Sequence, residues 1–246
     1  MERAKLKTKA KKSLNGKYTP LVLSLLVFVI AYLFGDIFDL LLNTHYLASL
    51  FMIVAIILFN MGFINSVIKT ARGKRIEVDN LFKHTHLSLK YLIITLIISL
   101  ILLFLALLLA IDYKSLSTVL SNASNISFLP YTILVIVGSV LSVLILAFAI
   151  YIIISFSQVY FILNDEPDMK IGDIITMSFD MLDGYRLDYL VLCLSFIGWL
   201  VLGLFTLGIL YLWVIPYMMV TFVNFYDKIK DRYSYSKPLK EEKEKI

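Results

Sequence analysis

The chain has 246 residues, 60% of them apolar, and a mean hydropathy of +0.86; ordinary soluble domains are roughly half apolar, so the composition excludes a water-soluble globule and points to a membrane. Lys and Arg number 23 against 18 Asp and Glu, a net charge of +5, and because the positive charges cluster between apolar runs they read as a topology signal, with no nucleic-acid partner expected. Cys193 is the only cysteine, which excludes an intramolecular disulfide.

In chain order, residues 1–17 form a basic segment with seven Lys and Arg. Within it Leu6, Ala10 and Leu14 recur at helical spacing among lysines, Asn15-Gly16 is a stop, and Thr19 and Pro20 suit the cap and first position of a new helix. Such a segment favours anionic lipid headgroups, at roughly 1 kcal/mol per nearby cation. The spans 18–35, 46–68, 91–111 and 131–163 contain no Asp, Glu, Lys or Arg. The last, at 33 residues, exceeds the ~20 needed to cross, so it must tilt or project beyond the bilayer. A basic start before an apolar run also suits a signal peptide. The exit at Leu33, Phe34 and Gly35 lacks small residues at cleavage spacing, and removal would leave an odd number of spans, so the segment is expected to be retained.

Residues 187–226 hold one charge, Asp188. As one helix these 40 residues would reach about 60 Å, twice a ~30 Å hydrocarbon core, so the run must fold back. Gly203, Thr206 and Gly208 lie at its middle, giving a tight hairpin. The expected fold is all-α: a six-helix transmembrane domain over 18–226, in three hairpins, with a charged tail over 227–246. Of the 23 basic residues only Lys114 falls in an outer loop, which places both termini in the cytoplasm.

Short surface helices are expected on the basic side. In 168–186 Ile171, Ile174, Ile175, Ser178 and Leu182 share one face, Asp173, Thr176, Asp180 and Asp183 another, and Gly184 suits the C-terminal cap. Leu14-Asn15-Gly16 and Leu182-Asp183-Gly184 suggest a repeat of surface helix, turn and hairpin, with 78–91 as a weaker third copy. Segment 69–90 has a balance of plus four and 164–186 of minus four, so they are candidates to pair. The outer loop 112–129 reads as a solvated connection, with sequons at Asn122 and Asn125.

No nucleophile elbow, phosphate loop, zinc-protease signature or cysteine pair is present. His84 and His86 point to different faces of a helix and are not a metal pair; no metal or cofactor is expected. Asp36 and Asp39, three apart near the outer end of the first span, read as water-facing. The polar residues of interest are amides. Asn65, Gln158 and Asn224 lie near the basic ends of the returning helices, with Asn60 deeper. An amide facing lipid costs kilocalories, so these should form a polar bundle centre, as interhelical glue or as a substrate site.

Residues 177–229 carry Ser178, Met181 and Gly184; Leu194 to Trp199 as Leu-Ser-Phe-Ile-Gly-Trp, including Ser195, Gly198 and Trp199; Thr206, Gly208 and Ile209; Pro216 and Tyr217; and Phe225 and Tyr226. In this order they resemble the bacterial integral membrane family catalogued as domain of unknown function 975, with "AKKSLNGKY" as a further, weaker match. Members often have Pro-Gly in the fourth span, where this chain has "AIYIIISFSQVY", so no helix break is expected there. The resemblance implies a multi-pass bacterial membrane protein and brings no reaction or substrate. Structural roles suit the motif: Trp199 and Trp213 as packed or interfacial rings, and Pro216 as a kink in the sixth span. The expected function is non-enzymatic, organising lipid or a membrane protein partner in envelope maintenance or protection. The alternative is passive or accessory transport of a small amphipathic substrate.

Overall fold

The computed structural model describes residues 2–42, 47–74, 87–121 and 128–243, which are helical or in turns, with no strand among them. The helices are α1 (Arg3–Leu14), α2 (Tyr18–Leu42), α3 (Leu47–Ala71), α4 (Ser88–Ser121), α5 (Phe128–Phe156), α6 (Val159–Asp165), α7 (Ile171–Met181), α8 (Arg186–Leu194), α9 (Ile197–Phe205) and α10 (Tyr211–Lys243). Three described stretches are long and apolar enough to cross a membrane, Leu89–Lys114, Thr132–Asp165 and Arg186–Phe205, and a fourth if α1 and the start of α2 count as one bent span. The helices cluster into two compact units, residues 1–92 with 158–246, and residues 93–157.

In the first unit α1 forms because its apolar residues recur every fourth position. Leu6, Ala10 and Leu14 are buried, and the helix packs on α10 and α3. It ends at Gly16, whose φ of +72° a side-chain-bearing residue resists, and α2 leaves at 87° to it. Helix α2 starts at Tyr18, so Pro20 sits inside the first turn instead of opening it, where its missing N–H still costs nothing. The turn after α7 repeats the device: Gly184 has φ +74°, and the N–H of Tyr185 reaches the Leu182 carbonyl at 2.9 Å as that of Lys17 reaches Leu14 at 2.8 Å. The third expected copy, at 78–91, falls largely outside the described residues.

Of the expected α7 face Ile174, Ser178 and Leu182 are buried, with Met181 beside them, and Ile171 and Ile175 are half-buried. This face packs on α6 and α10, so protein and not a lipid surface covers it. Antiparallel α8 and α10 close through rings: Tyr189 lies 5.3 Å from Phe222 and 5.2 Å from Phe225, and Phe196 5.5 Å from Tyr217. Helix α10 continues on both sides of Pro216, whose ring removes the N–H that would bond the Leu212 carbonyl.

The second unit contains most of α4 and α5. Its surface is apolar: Leu103, Phe104, Leu107, Val137, Val143 and Leu144 are exposed. Asp112 is buried and accepts a hydrogen bond from Ser142. Helix α4 continues to Ser121 and α5 begins at Phe128, so much of the expected 112–129 loop is helical. The long fourth run breaks at Ser157–Gln158 between α5 and α6 even without Pro-Gly. There the Ser157 N–H turns back to Ile154 and the Gln158 carbonyl starts the next helix.

Candidate functional site

In the first unit α10 packs on α3 and α7, and α6 on α3 and α7. Met61 to Ile68 are buried around the whole circumference of α3, as are Val220 to Tyr226 on α10. This layer contains Asn65 at 8% exposure, Gln158 at 0% and Asn224 at 2%, so the three amides are interior groups as expected. Asn60 is exposed and does not join them, because enclosure of α3 begins one residue later at Met61.

The buried hydroxyls here satisfy themselves locally. Ser66 donates to Gly62 at 2.9 Å, Thr70 to Ser66 at 2.8 Å and Thr221 to Tyr217 at 2.7 Å, each four residues back along its own helix. Asn224 is different: neither its Nδ2 nor its Oδ1 has a hydrogen-bond partner among the described residues.

At the edge of this layer lies an ionic cluster. Arg72 holds Asp165 with both terminal nitrogens, at 2.8 and 2.9 Å, and reaches Asp227 at 2.6 Å. Lys230 approaches Asp165 at 2.9 Å and Glu166 at 3.2 Å, and the Tyr226 hydroxyl donates to Asp165 at 3.1 Å. Asp165 therefore accepts from three side chains, Arg72 in the turn after α3 and Tyr226 and Lys230 on α10. Hydrogen bonding to Asp165 outweighs burial and, with Asp227, raises the Arg72 pKa further, so its charge is permanent. The expected pairing of 69–90 with 164–186 takes this form, and Lys90 adds bonds to the Pro167 and Met169 carbonyls at 2.5 and 3.0 Å. Sequence reading missed Arg72, Asp165, Asp227 and Lys230 as one cluster. The available signal was charge immediately after three apolar runs, which does not say which charges meet.

The basic face of α1 is partly used inside the unit. Lys7 donates to the Ser195 carbonyl at 3.1 Å and lies 4.2 Å from the Phe196 ring; Lys11 is 5.9 Å from the Tyr217 ring. Ser13 and Lys17 bond the Ala71 and Gly73 carbonyls at 3.2 and 2.8 Å, capping α3. Arg3, Lys5, Lys9 and Lys12 remain exposed.

The motif residues distribute along α7 to α10. Ser178, Met181, Pro216, Phe225 and Tyr226 are buried, and Gly184 makes its turn. Ser195 closes α8, with its hydroxyl on the Leu192 carbonyl at 2.5 Å; Gly198 is exposed. Trp199 and Trp213 are each 47% exposed. Thr206 and Gly208 build the hairpin turn, Gly208 with φ +86°. Tyr211, which the sequence reading did not single out, locks that hairpin. Its hydroxyl donates to Leu200 at 2.9 Å, and a Cβ on Gly203 would stand 2.0 Å from its ring. Beside it, Leu25, Leu26, Val29, Leu207, Tyr211 and Ile215 help to line an apolar crevice of about 430 Å³, and no buried amide lines it.

His84, His86, Asn122 and Asn125 lie outside the described residues, as do the side chains of Asp36 and Asp39. Among the described residues no three His, Cys, Asp or Glu side chains are grouped to hold a metal.

These features define a class: an all-helical protein with apolar helices long enough to cross a membrane and buried amides in the interior of its larger unit. The chain belongs to the family described as protein of unknown function (DUF975), whose pattern it matches over residues 1–233. Comparison with curated proteins and with solved structures finds no match.

Proposed function

We propose that the protein is a non-catalytic membrane component, with both termini cytoplasmic in a bacterial cell membrane, that organises lipid or a partner membrane protein in envelope maintenance or protection. The observation carrying this reading is the outward apolar surface of its long helices: in the most apolar stretch of Thr132–Asp165 no residue is buried, and in that of Leu89–Lys114 11% are. Exposed apolar area on this scale supports a hydrocarbon surrounding. The crevice between α2 and the α9–α10 turn suits an acyl chain, and the exposed cations of α1 suit anionic headgroups.

Three hairpins enter the bilayer under this reading, and six crossings result if each reaches the far face. Helices α2, α3, α4 and α5 have 25, 25, 34 and 29 residues, enough for ~30 Å. Helix α9 has nine and depends on α8 beneath it. The test is a strain lacking the protein, challenged with a membrane-active peptide. Heightened sensitivity, reversed by the intact gene, is expected; sensitivity equal to the parent counts against the role.

The transport alternative draws on Asn224, a buried amide without a hydrogen-bond partner among the described residues. Under it, reconstituted vesicles show flux of a small amphipathic solute that Asn224→Leu abolishes. No difference between the protein and empty vesicles sinks this alternative.

A further inference from the structure

We propose that the α9–α10 hairpin is a re-entrant wedge, entering the bilayer from the side on which α1 lies and ending among the acyl chains of that leaflet. The proposal rests on the bilayer reading above and reduces its crossings from six to four.

Helix α1 sets the level. It carries Arg3, Lys5, Lys7, Lys9, Lys11 and Lys12, and a cation in mid-hydrocarbon costs on the order of 3 kcal/mol by insertion scales. A helix with this many cannot lie in the core. Yet Lys7 bonds Ser195 and covers Phe196, and Lys11 lies beside Tyr217. Ser195 on one arm and Tyr217 on the other therefore stand at or outside the hydrocarbon edge. Beyond them α9 has nine residues, about 13 Å of rise, less than half of a ~30 Å core. Trp199 and Trp213, half exposed, sit one turn past this level in each arm, where indoles favour the interface.

The tip is built for hydrocarbon. Phe205 is 81% exposed, Leu207 94% and Ile209 62%, and the turn has no charge. The other two connections contain Asn43, Thr44 and His45, and a Ser- and Asn-rich run. Non-helical backbone in lipid must satisfy its own N–H groups. Here every N–H from Thr206 to Val214 donates within the turn, that of Leu210 to the Thr206 hydroxyl at 3.1 Å. That hydroxyl also donates to Gly203 at 3.0 Å, and the Tyr211 hydroxyl is bound to Leu200. A turn surfacing in water has no need of such closure.

The experiment places a single cysteine at the tip, Phe205→Cys or Ile209→Cys, in a Cys193→Ala chain, with Ser121→Cys as the outer-loop control. Both tip positions are exposed, so neither change removes core packing. In intact cells and in inverted vesicles, an impermeant maleimide is expected to label the tip at least roughly tenfold more slowly than the control labels from its accessible side. A spin label at the tip is expected to meet oxygen in preference to a polar nickel chelate. Tip labelling from either aqueous side overturns the wedge. Control labelling from the inner side instead of the outer reverses the proposed orientation but leaves the wedge standing, so the two failures are distinct.

Discussion

Asn224 separates the two functional readings more sharply than any other residue. A buried amide with both polar atoms unmatched is a liability in a structural core, since an unmet group costs about 1–3 kcal/mol. If packing is its whole role, Asn224→Leu raises the melting temperature in detergent; a fall indicates that the amide meets a group or ligand important to the fold. Asp165 behaves oppositely. Its side chain is 12% exposed and holds Arg72 and Lys230, so Asp165→Ala leaves Arg72 with Asp227 and Lys230 with Glu166 and is expected to cost about 1–3 kcal/mol, read by thermal unfolding. Arg72→Lys should cost less than Asp165→Ala yet remain destabilising, because an ammonium cannot fork onto Asp165 and Asp227 together. Asn65, Gln158 and Asn224 are buried, yet Asn60, in the same uncharged run as Asn65, is exposed, so an amide within an apolar run does not by itself say whether it is enclosed. The ionic partners were not legible either, because Arg72 and Asp165 are 93 residues apart and charge balance alone leaves many pairings open.

At the scale of elements, local chemistry was the better guide. The stripe of Leu6, Ala10 and Leu14 and the glycine stops at Gly16 and Gly184 specify α1 and the end of α7 from sequence alone. What their apolar faces would touch was not specified, because hydrophobic periodicity reads the same whether lipid or another helix covers it. The α9–α10 hairpin shows the same division. Gly203 and Gly208 announce a turn, but the 2.0 Å that a Cβ on Gly203 would leave to the Tyr211 ring is a tertiary fact. Gly203→Ala is expected to cost about 1–3 kcal/mol by displacing that ring, and Tyr211→Ala in the same chain should recover part of the loss. An unchanged melting temperature in Gly203→Ala means the ring is not locked there.

For the whole molecule, the testable statement is sidedness. A tag on either terminus should resist protease added to intact cells and be digested once the membrane is opened; digestion in intact cells inverts the arrangement. This prediction is indifferent to whether the third hairpin crosses, because a wedge and a full hairpin return the chain to the same side. Sequence by itself determined that the chain is helical with runs apolar enough to cross a membrane, that α1 and α7 stop near Gly16 and Gly184, and that the charges gather between the apolar runs, since each follows from composition and local spacing. Only the tertiary structure decided which amides are enclosed, which carboxylates Arg72 grips, and how α1 lies against the third hairpin. Those depend on side chains far apart in the chain meeting at one level, and a linear pattern of apolar runs carries no measure of level.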